Sequence, residues 1–200
     1  MTDARAIIDG VGDEQARAVG TLAAAFQEDP ALSWIFPSPR ARARRLPGLF
    51  RWLFADHIRH GMILASPGQE VVTLWRRPGK VQHHDPLTPP ELVRVLSIFG
   101  PNILRAARIG QAIADHVPPG EDYLYLRYAG VRPDVQGKGW GGLAIRAGIA
   151  EANRRGVGAC LETAKPGNVG LYENLGFRVV DTWDTPGGGP RFWTMVRPRD

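Results

Sequence analysis

Gln136-Gly-Lys-Gly-Trp-Gly-Gly142 is the stretch that decides the fold. Four of its seven residues are glycine, and it joins a β-rich run, Tyr123-Leu-Tyr-Leu-Arg-Tyr-Ala-Gly-Val131, to a helical run over residues 143–155. Glycines at such a junction let backbone N–H groups approach an anion closely. The free N–H groups and the positive dipole end of the helix then favour a phosphate there.

On the C-terminal side, the pattern predicts a strand at 159–163, a short helix at 169–175, and strands at 177–183 and 192–196 joined by Pro186-Gly-Gly-Gly-Pro190. On the N-terminal side, residues 13–27 carry Ala16, Val19, Leu22, Ala23 and Phe26 at helical spacing, with Asp13 as N-cap and Asp29-Pro30 as the stop. A second helix is expected over 42–59, where Pro47-Gly48 marks a kink or a later start. A hairpin at 62–65 and 71–75 turns on Ser66-Pro-Gly68. A Pro- and His-rich loop over 78–90 precedes helices at 91–99 and 103–114, which Gly100-Pro101 separates. Only the second half of this order contains strand–helix–strand crossovers, so the chain reads as mixed α/β in one domain over 1–200.

Composition narrows the function classes. The 200 residues are 44% hydrophobic and 22% charged, ordinary for a folded domain, and the apolar runs are too short to span a membrane. The N-terminus lacks the apolar segment of a signal peptide, which points to the cytoplasm. Cys160 is the single cysteine, so an internal disulfide and a thiolate-rich metal site are excluded; its setting reads as a buried strand position. A net charge of +5 suits an anionic partner, but the arginines are dispersed and nucleic acid is not expected. His57 and His60 share a helix face and His83-His84 lie in a loop, and no further ligand spacing completes a metal site.

Three ligands fit a glycine-rich anion cradle. A nucleotide P-loop fails because Lys138 is followed by Gly139, with no hydroxyl for magnesium. Gly137, Gly139 and Gly142 satisfy the dinucleotide fingerprint, and Glu162 lies twenty residues beyond. Five residues separate strand from first glycine, however, and only fifty-eight follow Gly142, too few for a doubly wound sheet. The third reading takes Gln136-x-x-Gly139-x-Gly141 as a pyrophosphate clamp for coenzyme A.

Here the residues reach a resemblance. Val131-Arg-Pro-Asp-Val-Gln-Gly-Lys-Gly-Trp-Gly-Gly142 resembles the acetyl-CoA-binding motif of the GCN5-related N-acetyltransferases (GNAT), and Leu171-Tyr-Glu-Asn-Leu-Gly-Phe177, with Asn168 before it, resembles the motif that follows. Thr21-Leu-Ala-Ala-Ala-Phe26, Leu161-Glu-Thr163 and Gly189-Pro-Arg191 extend the similarity toward the puromycin N-acetyltransferases and their actinobacterial relatives. Little of it reaches the segment between Asp29 and Pro119 beyond Val72-Thr-Leu-Trp75. The resemblance implies a central, mostly antiparallel sheet splayed at the strand ending near Val131 and flanked by helices. It also implies an acetyl-CoA-binding core over about 121–200, and an acceptor-side segment over about 29–119. The activity implied is direct transfer of acetyl to the amine of a small molecule in a ternary complex, without a metal, by a monomer or homodimer. Alternatives are a protein or peptide amine as acceptor, or a non-catalytic acyl-CoA sensor.

The cofactor is expected on the amides of Gly137, Lys138, Gly139, Trp140, Gly141 and Gly142, with Gln136 at the loop entrance. The resemblance implies pairing of the pantetheine arm with Ala129, Gly130 and Val131, and an N–H near Ala129 or Gly130 aimed at the thioester oxygen; Gly130 reads equally as a β-bulge residue. Tyr172 is the expected general acid, because a phenol stays protonated at neutral pH and matches a leaving thiolate; an aromatic core position is its other reading. Glu121, Asp122 and Glu162 are all left open as the base, and Glu162 or Glu121 as an acceptor-binding group instead. Arg127 would repel a cationic amine if it faced the cleft. Trp34 and Phe36, in a segment read as turn-like, are expected to wall the acceptor.

Overall fold

A computed structural model describes residues 5–6, 13–80, 86–119 and 123–199. Its seven strands are β1 (Arg5–Ala6), β2 (Gly61–Ala65), β3 (Val71–Arg76), β4 (Tyr123–Val131), β5 (Gly158–Thr163), β6 (Arg178–Asp184) and β7 (Arg191–Arg197). They form one sheet in the order β1-β2-β3-β4-β5-β7-β6. Every neighbouring pair is antiparallel except β4 and β5. The helices are α1 (Asp13–Ala25), α2 (Pro30–Ile35), α3 (Pro39–His60), α4 (Pro89–Phe99), α5 (Ile103–His116), α6 (Trp140–Arg154) and α7 (Val169–Glu173).

Strand alternation divides the core into two layers. Ile63, Val72 and Leu74 face α1 and α3, in a layer that also takes Phe36 from just after α2, Phe99 from α4 and Ile109 from α5. Leu64, Trp75, Leu124 and Leu126 face the other way, onto Ile145 and Ile149 of α6 and Tyr172 of α7. Gly148 lets α6 lie against the sheet, for a Cβ there would stand 2.0 Å from Cζ2 of Trp75.

Two elements depart from the sequence reading. Asp29-Pro30 ends the first helix and also begins another: the Asp29 carboxylate accepts the Leu32 N–H at 2.9 Å, Pro30 occupies the first turn, and α2 replaces the expected turn. Helix α3 starts earlier than expected, at Pro39 behind the Ser38 cap, and continues through Pro47. Its start is a capping signal of the same kind, and packing of Leu46, Leu49, Phe50, Leu53 and Phe54 sustains the helix past the proline.

The bulge falls at Arg127 rather than Gly130. Trp75 pairs with Leu126 and Leu74 with Tyr128, leaving Arg127 as the extra residue of β4. Gly130 meets a different need, close approach of α1: a Cβ there would lie 2.9 Å from Leu22 Cδ2 and 3.1 Å from Ala25 Cβ.

Candidate active site

The glycine run forms a cradle at the start of α6. Arg132 N–H ties the end of β4 to Glu70 at 2.8 Å, and a single 3₁₀ turn, Pro133–Val135, leads into the loop. Gln136 turns back and donates to the Val131 carbonyl at 3.1 Å, so it closes the loop instead of reaching out of it. Gly137 and Gly139 take φ of +76° and +84°, in the left-handed region, and side chains there would meet only open space. The amides of Trp140, Gly141 and Gly142 open the helix and have no acceptor within it. Positively polarised, beside a loop in which Gly137 and Gly139 carry no side chain, they fit a pyrophosphate. Lys138 is exposed, its Nζ 3.5 Å from the Asp134 carbonyl.

Next to the cradle the sheet divides. Strands β4 and β5 pair only from Tyr123 with Gly158 to Leu126 with Leu161. Beyond that point β4 continues to Val131 against β3 alone, and β5 continues to Thr163 against β7 alone. Ala129, Gly130 and Val131 line one side of the gap, and Arg127 and Glu162 are the first residues on either side of it.

Tyr172 stands on the β5 side. It is buried at 7% exposure, its ring edge-on to Phe177 at 6.0 Å. Burial, with the Asp29 carboxylate in electrostatic reach, pushes its hydroxyl up to about 12. The two readings of Tyr172 are thus compatible: the ring is core, and the hydroxyl feels α2 across the gap. Asn168 is half-buried at the residue before α7 and makes no side-chain cap. Asp29 carries no sequence motif of its own. Its carboxyl is raised by burial against the pull of the Leu32 and Ala31 amides and of Lys165, and its charge reaches both Tyr128 and Tyr172.

A polar layer lies beneath the gap on the α3 face. Glu162 accepts the Tyr125 hydroxyl through Oε2, while Oε1 is buried without a hydrogen-bond partner. Burial pushes the Glu162 carboxyl up to about 7, against the Tyr125 hydrogen bond and the Arg127 charge. Arg127 reaches Asp56 of α3 at 3.9 Å, and fully buried Arg76 of β3 binds the same carboxylate oxygen. His57, also buried, donates Nδ1–H to Leu53; burial and the Arg127 charge hold it well below its ordinary value, so it stays neutral. The Arg127 charge is therefore countered by Asp56 and acts on Glu162.

The expected acceptor wall is corrected in part. Phe36 is 1% exposed, stacked on Phe99 at 5.8 Å with Arg45 over its other side, so it belongs to the core. The hydrophobic layer wins there because the end of α2, closed by the Phe36 N–H to the Leu32 carbonyl, delivers this ring to the core. Trp34 is half-buried, with the Arg105 guanidinium 5.4 Å from its ring centre. Cys160 is buried and its thiol is held far above its ordinary value by burial, so it stays protonated. Glu121, Asp122, His83 and His84 lie outside the described residues.

Helix α5 joins α2 to the β6–β7 hairpin. Arg105 donates to the Trp34 carbonyl at 2.9 Å on the α2 side. On the other side His116 stacks on Trp183 of β6 at 4.4 Å, and Trp183 stacks on Phe192 of β7 at 4.6 Å.

Residues 104–177, from within α5 to the end of the second motif, match the model of the acetyltransferase (GNAT) family. The fold is the GNAT fold. A crystal structure of histone acetyltransferase HPA2 and related acetyltransferase from Corynebacterium glutamicum superposes with a TM-score of 0.74 at 23% identity, over 100% of this chain and 98% of that one. The polyamine N-acetyltransferase of Drosophila melanogaster, which forms N-acetylagmatine, gives 0.59 at 14% identity over 98% and 100%. The NatC complex bound to Gag peptide and CoA gives 0.55 at 12% over 99% of each chain. The GNAT segment and the GNAT fold together indicate an N-acetyltransferase. No helix among the described residues is long and apolar enough to cross a membrane, and no group of three or more His, Cys, Asp or Glu among them could hold a metal ion.

Proposed function

We propose that this chain moves the acetyl group of acetyl-CoA to the amine of a small molecule by direct attack in a ternary complex. The observation that carries the reading is the gap between β4 and β5, with the α6 cradle at one end and Tyr172 and Glu162 at its edges. The amides of residues 137–142 would hold the pyrophosphate, and Gly137 and Gly139 fit it because side chains there would fill the cradle. The backbone of Ala129, Gly130 and Val131 would pair with the pantetheine arm, and Asn168 would border it. When bound, acetyl-CoA supplies the thioester.

The remaining steps belong to the chain's own residues. Glu162 is the base: with its carboxyl at about 7 it is half ionised at neutral pH, and Oε1, buried without a hydrogen-bond partner, would take the proton from the amine. An N–H near Ala129 or Gly130 would face the oxygen on which charge develops. Tyr172, protonated throughout the neutral range, donates to the departing thiolate. Helix α5, tied to α2 through Arg105 and to β6 through His116, would leave room for a small acceptor rather than a protein. Trp34 lies against Arg105 of α5, and residues 29–119 would supply this side of the site and residues 121–200 the cofactor side.

A thermal-shift titration with acetyl-CoA, followed by thiol release against a panel of small amines and of peptides, tests this. Stabilisation by acetyl-CoA and release with a small amine are expected. No stabilisation would sink the reading, and release with peptides alone would replace the acceptor class.

A further inference from the structure

We propose that Asp56 and Arg127 are positioning residues for Glu162, through which helix α3 sets how readily that carboxylate exchanges a proton; the inference rests on Glu162 being the base. The geometry is unusual in three respects. Arg127 is the inserted residue of a bulge, a device that re-aims a side chain without breaking the strand. It lies between two carboxylates, 3.9 Å from Asp56 and within electrostatic reach of Glu162. The near oxygen of Asp56 is already bound by Arg76, which is fully buried, so Asp56 is a fixed anchor rather than a mobile partner.

Two carboxyl groups and two guanidinium groups thus share one layer, an arrangement that seldom adds stability over apolar packing. What it adds is control. Arg127 held toward Asp56 leaves Glu162 Oε1 without a partner; Arg127 released from Asp56 would close on that oxygen and convert a base into half of an ion pair.

The other groups around Glu162 are accounted for element by element. Tyr125 of β4 donates to Glu162 and is pushed far up by burial, so it stays protonated, as does Cys160 of β5. His57 of α3 is neutral. Thr194 of β7, paired with Glu162 in the sheet, has its hydroxyl bonded by the Trp183 indole and carries no charge. On α5, Arg105 is bound to Trp34, Arg108 lies against Gly187 and His116 faces Asp181 at 3.9 Å.

The test uses the full chain labelled with carbon-13 at the glutamate carboxyls, and the resonance missing from Glu162→Gln identifies Glu162. Its midpoint is followed from about pH 5 to about pH 9, a range that brackets the carboxylate. Arg127→Gln removes the cation and is expected to raise the midpoint by about one pH unit, whereas Asp56→Asn frees Arg127 and is expected to lower it by a similar amount. Arg127→Lys keeps the charge and is expected to restore most of the shift. Arg127→Met, of similar length and apolar, gives a second reading of the cation's removal if the glutamine variant does not fold. Midpoints unmoved in the folded variants, or moved in the same direction by both changes, would overturn the inference. Wild-type turnover in Glu162→Gln would remove the base while leaving the coupling to be judged on the midpoints, so the two failures are distinct.

Discussion

The proposed cofactor side and the proposed acceptor side of this molecule present their functional groups in different ways. Around the α6 cradle the groups are backbone amides, presented because glycines leave no side chain in the way. Around the polar layer they are side chains from four separate elements: Asp56 of α3, Arg76 of β3, Arg127 of β4 and Glu162 of β5. The first arrangement is local in the chain and depends on side chains only through the glycines that lack them. The second is assembled by folding, and each member sets the charge state of the next. A backbone site is built by removing atoms, and a side-chain site by burying charge at a cost to stability.

The contrast can be broken by substitution. The largest effect is expected from Tyr172→Phe, which keeps the ring against Phe177 and removes only the proton donor. Turnover should fall by about 10²-fold or more with the acetyl-CoA thermal shift intact; near-wild-type kcat would return Tyr172 to the core alone.

Next comes Glu162→Gln, read as stability. The folded carboxyl titrates near 7 and the unfolded one near the ordinary glutamate value, so the folded state holds the extra proton between them. Stability is therefore lost as pH rises through that window. Replacing the acid with a neutral amide should make the protein more stable at pH 8, by at most about 3 kcal/mol, and change little at pH 4. Calorimetry at the two pH values reads this, and a variant less stable at pH 8 would contradict a strained base.

Gly148→Ala should cost about 1–3 kcal/mol, because Trp75 fills the space a Cβ needs, and lower Tm by several degrees in thermal unfolding. The smallest effects sharpen the backbone claim. Gly139→Val forces a β-branched residue to φ +84° and should weaken acetyl-CoA binding about tenfold in calorimetric titration. Lys138→Ala should change it less than about threefold, as expected for an exposed charge; equal losses in the two would assign the pyrophosphate to the lysine instead.

The two sides also differed in how far they could be read in advance. Helix α6, strand β5 and helix α7 follow from periodicity and turn residues, and the mixed sheet from their order. Asp29 was legible only as a stop, although an Asp-Pro pair is equally the start of a helix, and that second role brings it toward Tyr172. Phe36 reads as a pocket wall for the same reason, since a turn would leave its ring exposed, whereas the residue that follows α2 is packed into the core. The bulge leaves a faint trace: Leu124 and Leu126 face α6, and after Arg127 the alternation resumes with Tyr128 on the α3 face. Nothing in the spacing tied that slip to residue 56 or 162.

The sequence by itself determined the glycine cradle, because free amides at a strand–helix junction need closely spaced glycines and this demand is local. Only the tertiary structure decided the polar layer. There the charge on Glu162 depends on burial and on partners more than thirty residues away in the chain, and no local pattern records such distances.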